Sequence, residues 1–419
     1  MPGQPLSIAF IVRDPLPPVR ADVLTLFGTE MPRYGVGTEL VGQGGRRAAA
    51  PSPWPAGGMH VVGRLDSRFA SVCSPLWDLL GLLRALRKGR PDCIQVRDKI
   101  ASGLLGRVAA VLLGVPFVYW MSFPIVEGFE SKCGDLRADI GARGGPGARL
   151  RARLRWTAHA LRARVSRLVI YRWVLPGARH LFVQSEAMAA WLAAKGLPRA
   201  RMTAVPMGVD VDLFDRARID PAPDARLDGR RVVAYLGSVG RARRSEFLLD
   251  VAAALRAQLP EVLLVIVGDA PSPEDMAWMR GAIAARGLAR HVLLTGWLPQ
   301  RSALGYLVRA EAGLSPIPRG TLFDVSSPTK LVEYLALGIP GVANDIPDQK
   351  LVLEASGAGL CVPMDADAFA AATLHILRDR AAAAQFAERG PAWVRRHRAY
   401  GILGRQVAAA YRDVLSGRD

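Results

Sequence analysis

Ser326, Ser327, Pro328, Lys330 and Glu333 stand within eight residues of one another and carry the clearest chemistry in the chain. An apolar run ends at Ser315 and Pro316 and a Gly-bearing loop follows. The spacing predicts a helix starting at Ser326 or Ser327, because serine caps free backbone N–H groups and Pro328 suits a first turn. Leu331, Val332, Leu335 and Ala336 recur at helical spacing and so face a core, and Gly338, Ile339 and Pro340 stop the helix. Unpaired amides at that N-terminus, Lys330 one turn in and Glu333 near the mouth form a phosphate seat with a carboxylate beside it, a set suited to a nucleotide sugar. The string by itself also fits an ordinary surface helix of an α/β domain, so the elements around it must decide.

With 419 residues, 50% of them hydrophobic, the chain exceeds what one core supports, and two domains are expected. The formal charge of +18, from 55 Lys and Arg against 37 Asp and Glu, implies an anionic partner: a nucleotide diphosphate, an acidic membrane face or nucleic acid. Nucleic acid is disfavoured, since the sequence holds no zinc spacing, no aromatic-basic strand pair and no basic recognition helix. Four cysteines (Cys73, Cys93, Cys133, Cys361) and six dispersed histidines indicate neither a metal site nor a disulfide framework. The first residues lack a basic region followed by an apolar core, so a cytoplasmic location is expected. Residues 108–126 are uncharged and nearly long enough to span a bilayer, but Gly114, Val115 and Pro116 interrupt them, which predicts a buried helix followed by a buried strand.

Along the chain, apolar runs at 6–12, 38–42, 60–62, 93–96, 116–121, 178–184 and 202–205 alternate with helical patterns at 21–34, 75–87 and 101–113. This alternation predicts a mostly parallel sheet with crossover helices. Residues 43–58 read as a surface loop containing Trp54, and 122–145 as a loop-rich excursion. In 148–173, Leu150, Leu154, Ala158, Leu161, Val165 and Leu168 follow helical spacing while Arg149, Arg151, Arg153, Arg155, Arg162, Arg164 and Arg167 fill much of the remaining surface. Such a helix, with Trp156 and Trp173 as anchors, fits either an anionic lipid surface or an arginine-rich domain helix. The first domain is expected at 1–215 and a linker at 216–229. Strands at 232–236, 262–267, 292–295, 341–343 and 359–362 then restart the pattern in a second domain at 230–390, with a terminal basic helix in 391–419 reaching back to the first. Two such units place a cleft between them, where strand ends and helix N-termini meet a ligand.

The segments VPMGVDVDLF (205–214), YLGSVGRARRSEFLLDVA (235–252), LVIVGDAP (264–271), LTGWLPQ (294–300) and SPTKLVEYLALGIPGVAN (327–344), in this order and spacing, resemble family 4 of the retaining GT-B glycosyltransferases. The resemblance covers most of the second half by motif and the first half as architecture. It implies the GT-B fold, two Rossmann-like domains facing each other across a cleft, and a UDP- or GDP-sugar as co-substrate. By that resemblance Glu333 grips the donor ribose, while Ser327, Pro328, Thr329 and Lys330 surround the diphosphate. Gly237, Ser238, Arg241, Arg243, Arg244 and Gly268 complete the donor side, with Arg244 matching a family lysine. Backbone groups near Gly296 and Trp297 meet the base. Where the family places a second glutamate this chain has Val325, a departure shared with a subset of pattern SPxKxxEY. Where it places a histidine after a first-domain strand, this chain has Ser122.

Arg97, Asp98 and Glu127 follow strand ends and are, with Arg20 and Ser122, the candidates for acceptor contacts; Arg244, Glu333, Lys330 and Glu127 are the catalytic candidates. Asp210 and Asp212 fall in a turn, and a metal-independent transfer without cofactor is expected. The expected activity is transfer of a sugar to a lipid-linked or polysaccharide acceptor of an envelope or exported polysaccharide, with the basic helix of 148–173 on the membrane face and no nucleic-acid partner. Two alternatives stand beside it: a glycosyltransferase acting on a soluble small-molecule acceptor, and a non-catalytic GT-B-like protein that binds a glycan or nucleotide.

Overall fold

The computed structural model describes residues 5–45, 53–142 and 145–417. The chain divides into two compact units, Met1–Pro206 with Leu403–Asp419, and Met207–Ile402. Each is built on a parallel sheet whose strands are apolar almost throughout, as burial on both faces requires.

The first unit holds β1 (Leu6–Ile11), β2 (Val36–Gly44), β3 (Met59–Arg64), β4 (Cys93–Arg97), β5 (Phe117–Met121), β6 (His180–Val183) and β7 (Met202–Ala204). Their order is β3-β2-β1-β4-β5-β6-β7, so the winding reverses between β1 and β4. Residues 108–126 resolve as expected into the end of the helix Ile100–Leu113 and the buried strand β5. Among the described residues no helix is long and apolar enough to cross a membrane. A run of neighbouring rings fills the core: Phe10 to Phe27 at 4.6 Å, Phe27 to Trp120 at 5.2 Å, Trp120 to Phe182 at 5.1 Å and Phe182 to Tyr411 at 4.8 Å. Tyr411 comes from the last helix, Tyr400–Ser416, and its hydroxyl donates to Gln95 Oε1.

Two expectations for this unit are corrected. Trp54 is buried, its indole N–H donating to Thr38 Oγ1 at 2.8 Å; residues 46–52 of the same expected loop lie outside the described residues. The loop-rich reading of 122–145 is replaced by a helix, Ile125–Ala142, that packs along the helix Pro146–Val169. Its polar residues, which suggested a loop, pair with that neighbour: Arg167 bonds the Glu130 carboxylate at 2.6 and 2.8 Å, and the Arg162 guanidinium lies 4.7 Å from the Phe129 ring. In Pro146–Val169 itself the buried positions are Ala152, Ala163 and Ser166, and the leucine stripe points to solvent.

The second unit holds β8 (Arg231–Leu236), β9 (Val262–Val267), β10 (Val292–Leu294), β11 (Ala312–Ser315), β12 (Gly341–Asn344) and β13 (Gly359–Val362), ordered β10-β9-β8-β11-β12-β13. Here the winding reverses between β8 and β11. Residues 216–229 pack on this unit, with Ala222 N–H donating to Gly305 O at 2.9 Å and Tyr306 Oη to Asp224 at 2.8 Å. Asp210 Oδ1 accepts from Asp212 and Leu213 N–H and so closes a turn, as its place in the sequence suggested. The single terminal helix expected in 391–419 is parts of two: Arg380–His397 and Tyr400–Ser416, broken where Val209 N–H donates to Arg398 O and Tyr400 N–H to Val209 O.

Candidate donor site at the second sheet's switch point

In open α/β sheets a ligand binds outside the carboxyl ends of the strands where the winding reverses. In the second unit that point is the gap between β8 and β11, whose paired register stops at Val233 and Ala234. Beyond it Leu236 N–H donates to Tyr334 Oη at 2.6 Å, and the same hydroxyl donates to Leu314 O at 3.2 Å. Tyr334 therefore bridges the splayed strands from the helix Thr329–Ala336, and its ring lies so close to Gly313 that a Cβ there would sit 2.4 Å from it. Sequence reading missed Tyr334, counting only the aliphatic residues of this helix; the signal was a tyrosine facing a glycine in the preceding strand.

The strand ends form a floor of backbone. Gly268 has φ +153°, and a Cβ on it would lie 2.2 Å from Gly237 O; Gly268 also bridges Gly296. Gly237 N–H donates to Val267 O and Val239 N–H to Asp269 O, at 3.0 and 3.1 Å, which ties the loop after β8 to the end of β9. Only glycine allows these strand ends to approach so closely.

The helix beside this floor begins at Thr329, two or three residues later than expected. Pro328 is the capping residue and no side chain caps the turn. The expected serine cap fails because both serines are engaged elsewhere. Ser326 Oγ donates to Phe323 O at 2.6 Å. Ser327 Oγ donates to Asp348 Oδ2 at 2.7 Å and accepts from Met207 N–H at 3.0 Å and Arg398 Nη1 at 3.3 Å. Arg398 Nη2 completes a buried pair with Asp348 Oδ1 at 2.7 Å. Of the Ser327 candidate, then, only the backbone is left for a ligand, and Asp348 and Arg398 are structural residues the sequence did not single out. The amides of Thr329 and Lys330 open the helix and have no intrahelical partner.

Lys330 is buried, its ammonium 4.9 Å from the centre of the Tyr235 ring and its Cε close to Gly237. The carboxyl of Glu333, one turn on, makes no hydrogen bond or ion pair among the described residues. Loss of hydration raises its pKa from 4.5 to about 7, a rise that the Lys330 charge only partly opposes. In the loop after β8, Arg241 lies over Trp278 at 5.3 Å, while Arg243 and Arg244 are exposed and unpaired among the described residues. Arg244 adopts φ +51°, a left-handed conformation uncommon for a side chain of this size. Ser238 O accepts from Tyr235 Oη at 3.3 Å, and Trp297 is two-thirds exposed. Val325 is buried, and Asp324 accepts from Arg319 at 2.8 Å.

Four of the first unit's candidates, Arg20, Arg97, Asp98 and Ser122, are linked at its own switch point, and Glu127 is held elsewhere. Arg97 is wholly buried and bonded to Asp22, with Asp98 and Asp14 at 3.6 and 3.7 Å. Arg20 grips Asp22 through two bonds of 2.9 and 3.0 Å. Burial opposes ionisation of Asp22, but Arg97 and Arg20 together hold its carboxyl below the usual range. Glu127 accepts from Tyr171 Oη at 2.9 Å and has Lys195 and Arg167 at 3.4 and 3.7 Å. Asp98 differs. Its φ is +51°, it accepts from Ser122 N–H at 2.9 Å and from Ser122 Oγ, and burial raises its pKa against the pull of Arg97 and of those bonds. A further buried network escaped sequence reading: Lys99 donates to Asp78 and Gln43, each at 2.8 Å, and Ser102 to Asp78 at 2.6 Å. Among the described residues no group of three or more His, Cys, Asp or Glu side chains is placed to hold a metal ion.

Residues 230–379 match the family model described as "Glycosyl transferases group 1", and residues 19–208 the one described as "Glycosyl transferase 4-like domain". The chain is similar to a GDP-mannose-dependent alpha-(1-6)-phosphatidylinositol monomannoside mannosyltransferase of Mycolicibacterium smegmatis, 28% identical over 57% of this chain and 62% of that one. It is also similar to a phosphatidyl-myo-inositol mannosyltransferase of Mycobacterium tuberculosis, 30% identical over 50% of this chain and 53% of that one. The matched stretches thus span between half and two thirds of these relatives. Among solved structures, sucrose-phosphate synthase from Thermosynechococcus elongatus aligns with a TM-score of 0.70 at 18% identity, over 98% of this chain and all of that one. HepE of Anabaena, solved in complex with UDP, aligns at 0.65 and 15%, over 97% of this chain and all of that one.

Proposed function

Taking the chain as a GT-B-fold relative of the group 1 glycosyl transferases, we propose that it is a retaining glycosyltransferase using a UDP- or GDP-sugar. The observation that carries this reading is Glu333, an unpartnered carboxylate of raised proton affinity set beside Lys330 and a glycine floor. In this reading the ribose hydroxyls donate to Glu333, which supplies the missing partner. The amides of Thr329 and Lys330, the Lys330 ammonium and the guanidinium groups of Arg243 and Arg244 meet the diphosphate. As the bond to the anomeric carbon lengthens, negative charge grows on the departing phosphate, and donors already fixed there stabilise it without reorganising. No metal is needed for that task.

The relatives whose names specify phosphatidylinositol acceptors support a lipid-linked acceptor, and hence a place on the cytoplasmic face of an anionic membrane in the assembly of envelope or exported polysaccharide. On the acceptor side we assign Asp98 with Ser122 rather than Glu127, since three neighbours already occupy the Glu127 carboxylate. Calorimetric titration with a panel of UDP- and GDP-sugars tests the donor assignment. One sugar nucleotide should bind, and Glu333→Ala should weaken it at least tenfold, the loss of two hydrogen bonds to a charged group. If no member of the panel binds, or Glu333→Ala binds as the parent does, the assignment falls.

A further inference from the structure

The first unit carries an apolar surface that the candidate sites leave unused. On the helix Ala70–Leu86 and its preceding residue, Phe69, Val72, Leu76, Leu80 and Leu83 are between 49% and 75% exposed. On Ile100–Leu113, Val108, Val111 and Leu112 are between 49% and 81% exposed. On Pro146–Val169, Leu150, Leu154, Leu161, Val165 and Leu168 are between 51% and 64% exposed. At about 100° per residue each set falls within a stripe no wider than about 100°. On the third helix that stripe lies opposite the buried Ala152, Ala163 and Ser166.

The three stripes share one face of the first unit's sheet. Ala70–Leu86 connects β3 to β4, Ile100–Leu113 connects β4 to β5, and Pro146–Val169 lies between β5 and β6; all three crossovers advance the same way across the sheet. Right-handed crossovers in one direction put their helices on one face. The first helix accordingly touches the second, and the second touches the third. A monomer rarely exposes so many large aliphatic residues in one place.

Charge identifies the occupant. The three helices contain a single carboxylate, Asp78, and it is buried under Lys99 and Ser102. Arg149, Arg151, Arg153, Arg155, Arg162 and Arg164 are exposed along the flanks of the third stripe. Aliphatic side chains flanked by arginine and free of exposed acid match an acyl layer beneath anionic headgroups, whereas a second copy of this face would oppose arginine to arginine. We propose that this three-helix face seats on an anionic bilayer with its aliphatic stripes in the interfacial region. The inference rests on the lipid-acceptor reading above and widens the expected basic helix to a surface of three helices.

Cosedimentation of the full chain with phosphatidylcholine vesicles, with and without phosphatidylglycerol, tests it, using Leu76→Glu/Leu80→Glu, Val111→Glu/Leu112→Glu and Leu154→Glu/Leu161→Glu. The parent should bind the phosphatidylglycerol vesicles, and each pair, including those on the two helices without an arginine flank, should lower the bound fraction at least tenfold. The exposed positions should leave Tm unchanged; should a glutamate pair misfold, the serine pair at the same positions takes its place. Parent-like binding by the first two pairs overturns the proposal, as does failure of the parent to bind. A parent that is dimeric by light scattering and made monomeric by these pairs also overturns it, since a second copy then covers the face. Sugar-nucleotide titration of the same proteins separates the two readings: nucleotide binding without vesicle binding sinks the surface alone, and vesicle binding without nucleotide binding sinks the donor site alone.

Discussion

Replacing Glu333 by Gln should stabilise the ligand-free protein, and only at high pH. The carboxyl is raised from 4.5 to about 7, chiefly because its charged form loses hydration. Between those values the folded protein holds a proton that the unfolded chain has released, so stability falls as pH rises through the window and the full cost is present above it. At about 1.4 kcal/mol per pKa unit the cost approaches a ceiling of about 3.5 kcal/mol. Glutamine has the same shape and no ionisation, so Glu333→Gln should match the parent near pH 5 and exceed it at pH 8. For a unit of this size each kcal/mol shifts Tm by about 2 to 4 °C, which sets the expected gain at pH 8 at about 7 to 14 °C. Parallel thermal melts of the two proteins at pH 5, 6, 7 and 8 measure the difference, and comparing them cancels every other titrating group. A gap that stays constant across that range would refute the reasoning, because it would mean that Glu333 ionises as freely in the fold as in water.

Tyr334→Phe should cost about 1 to 3 kcal/mol by leaving the half-buried Leu236 N–H without its acceptor, and should weaken sugar-nucleotide binding because the strand ends it spans form the floor of the site; unchanged denaturant midpoint and affinity would show that the hydroxyl is dispensable. Asp348→Ala should cost about 3 to 5 kcal/mol, since it strands the Arg398 guanidinium away from water; chemical denaturation measures this, and a loss below about 1 kcal/mol would show that solvent reaches Arg398.

The alternation of apolar runs and helical patterns made both parallel sheets legible, because strands buried on both faces must be apolar and crossover helices must be periodic. The donor-side motif was legible for a related reason: Lys330 and Glu333 lie one turn apart on a single short helix, so local spacing fixes their geometry. What escaped depended on partners far away in sequence. Ser327 looked like a helix cap because its long-range partners Met207, Asp348 and Arg398 leave no local trace. Residues 122–145 looked like a loop because the charges of Ile125–Ala142 are satisfied by the following helix rather than by their own. In Pro146–Val169 the periodicity was read correctly as two-sided, yet it is the alanine and serine positions that pack, and a leucine stripe cannot reveal from sequence alone that it faces outward.

Tyr411 completes the ring series that begins at Phe10, although almost the whole chain separates the two residues. On the ribosome the first unit therefore emerges early with Phe182 and Gln95 still uncovered, and it must wait for the second unit to be made before its own final turns arrive. Folding order and synthesis order part company here, and a fragment ended at residue 206 would carry an open seam where the last helix belongs.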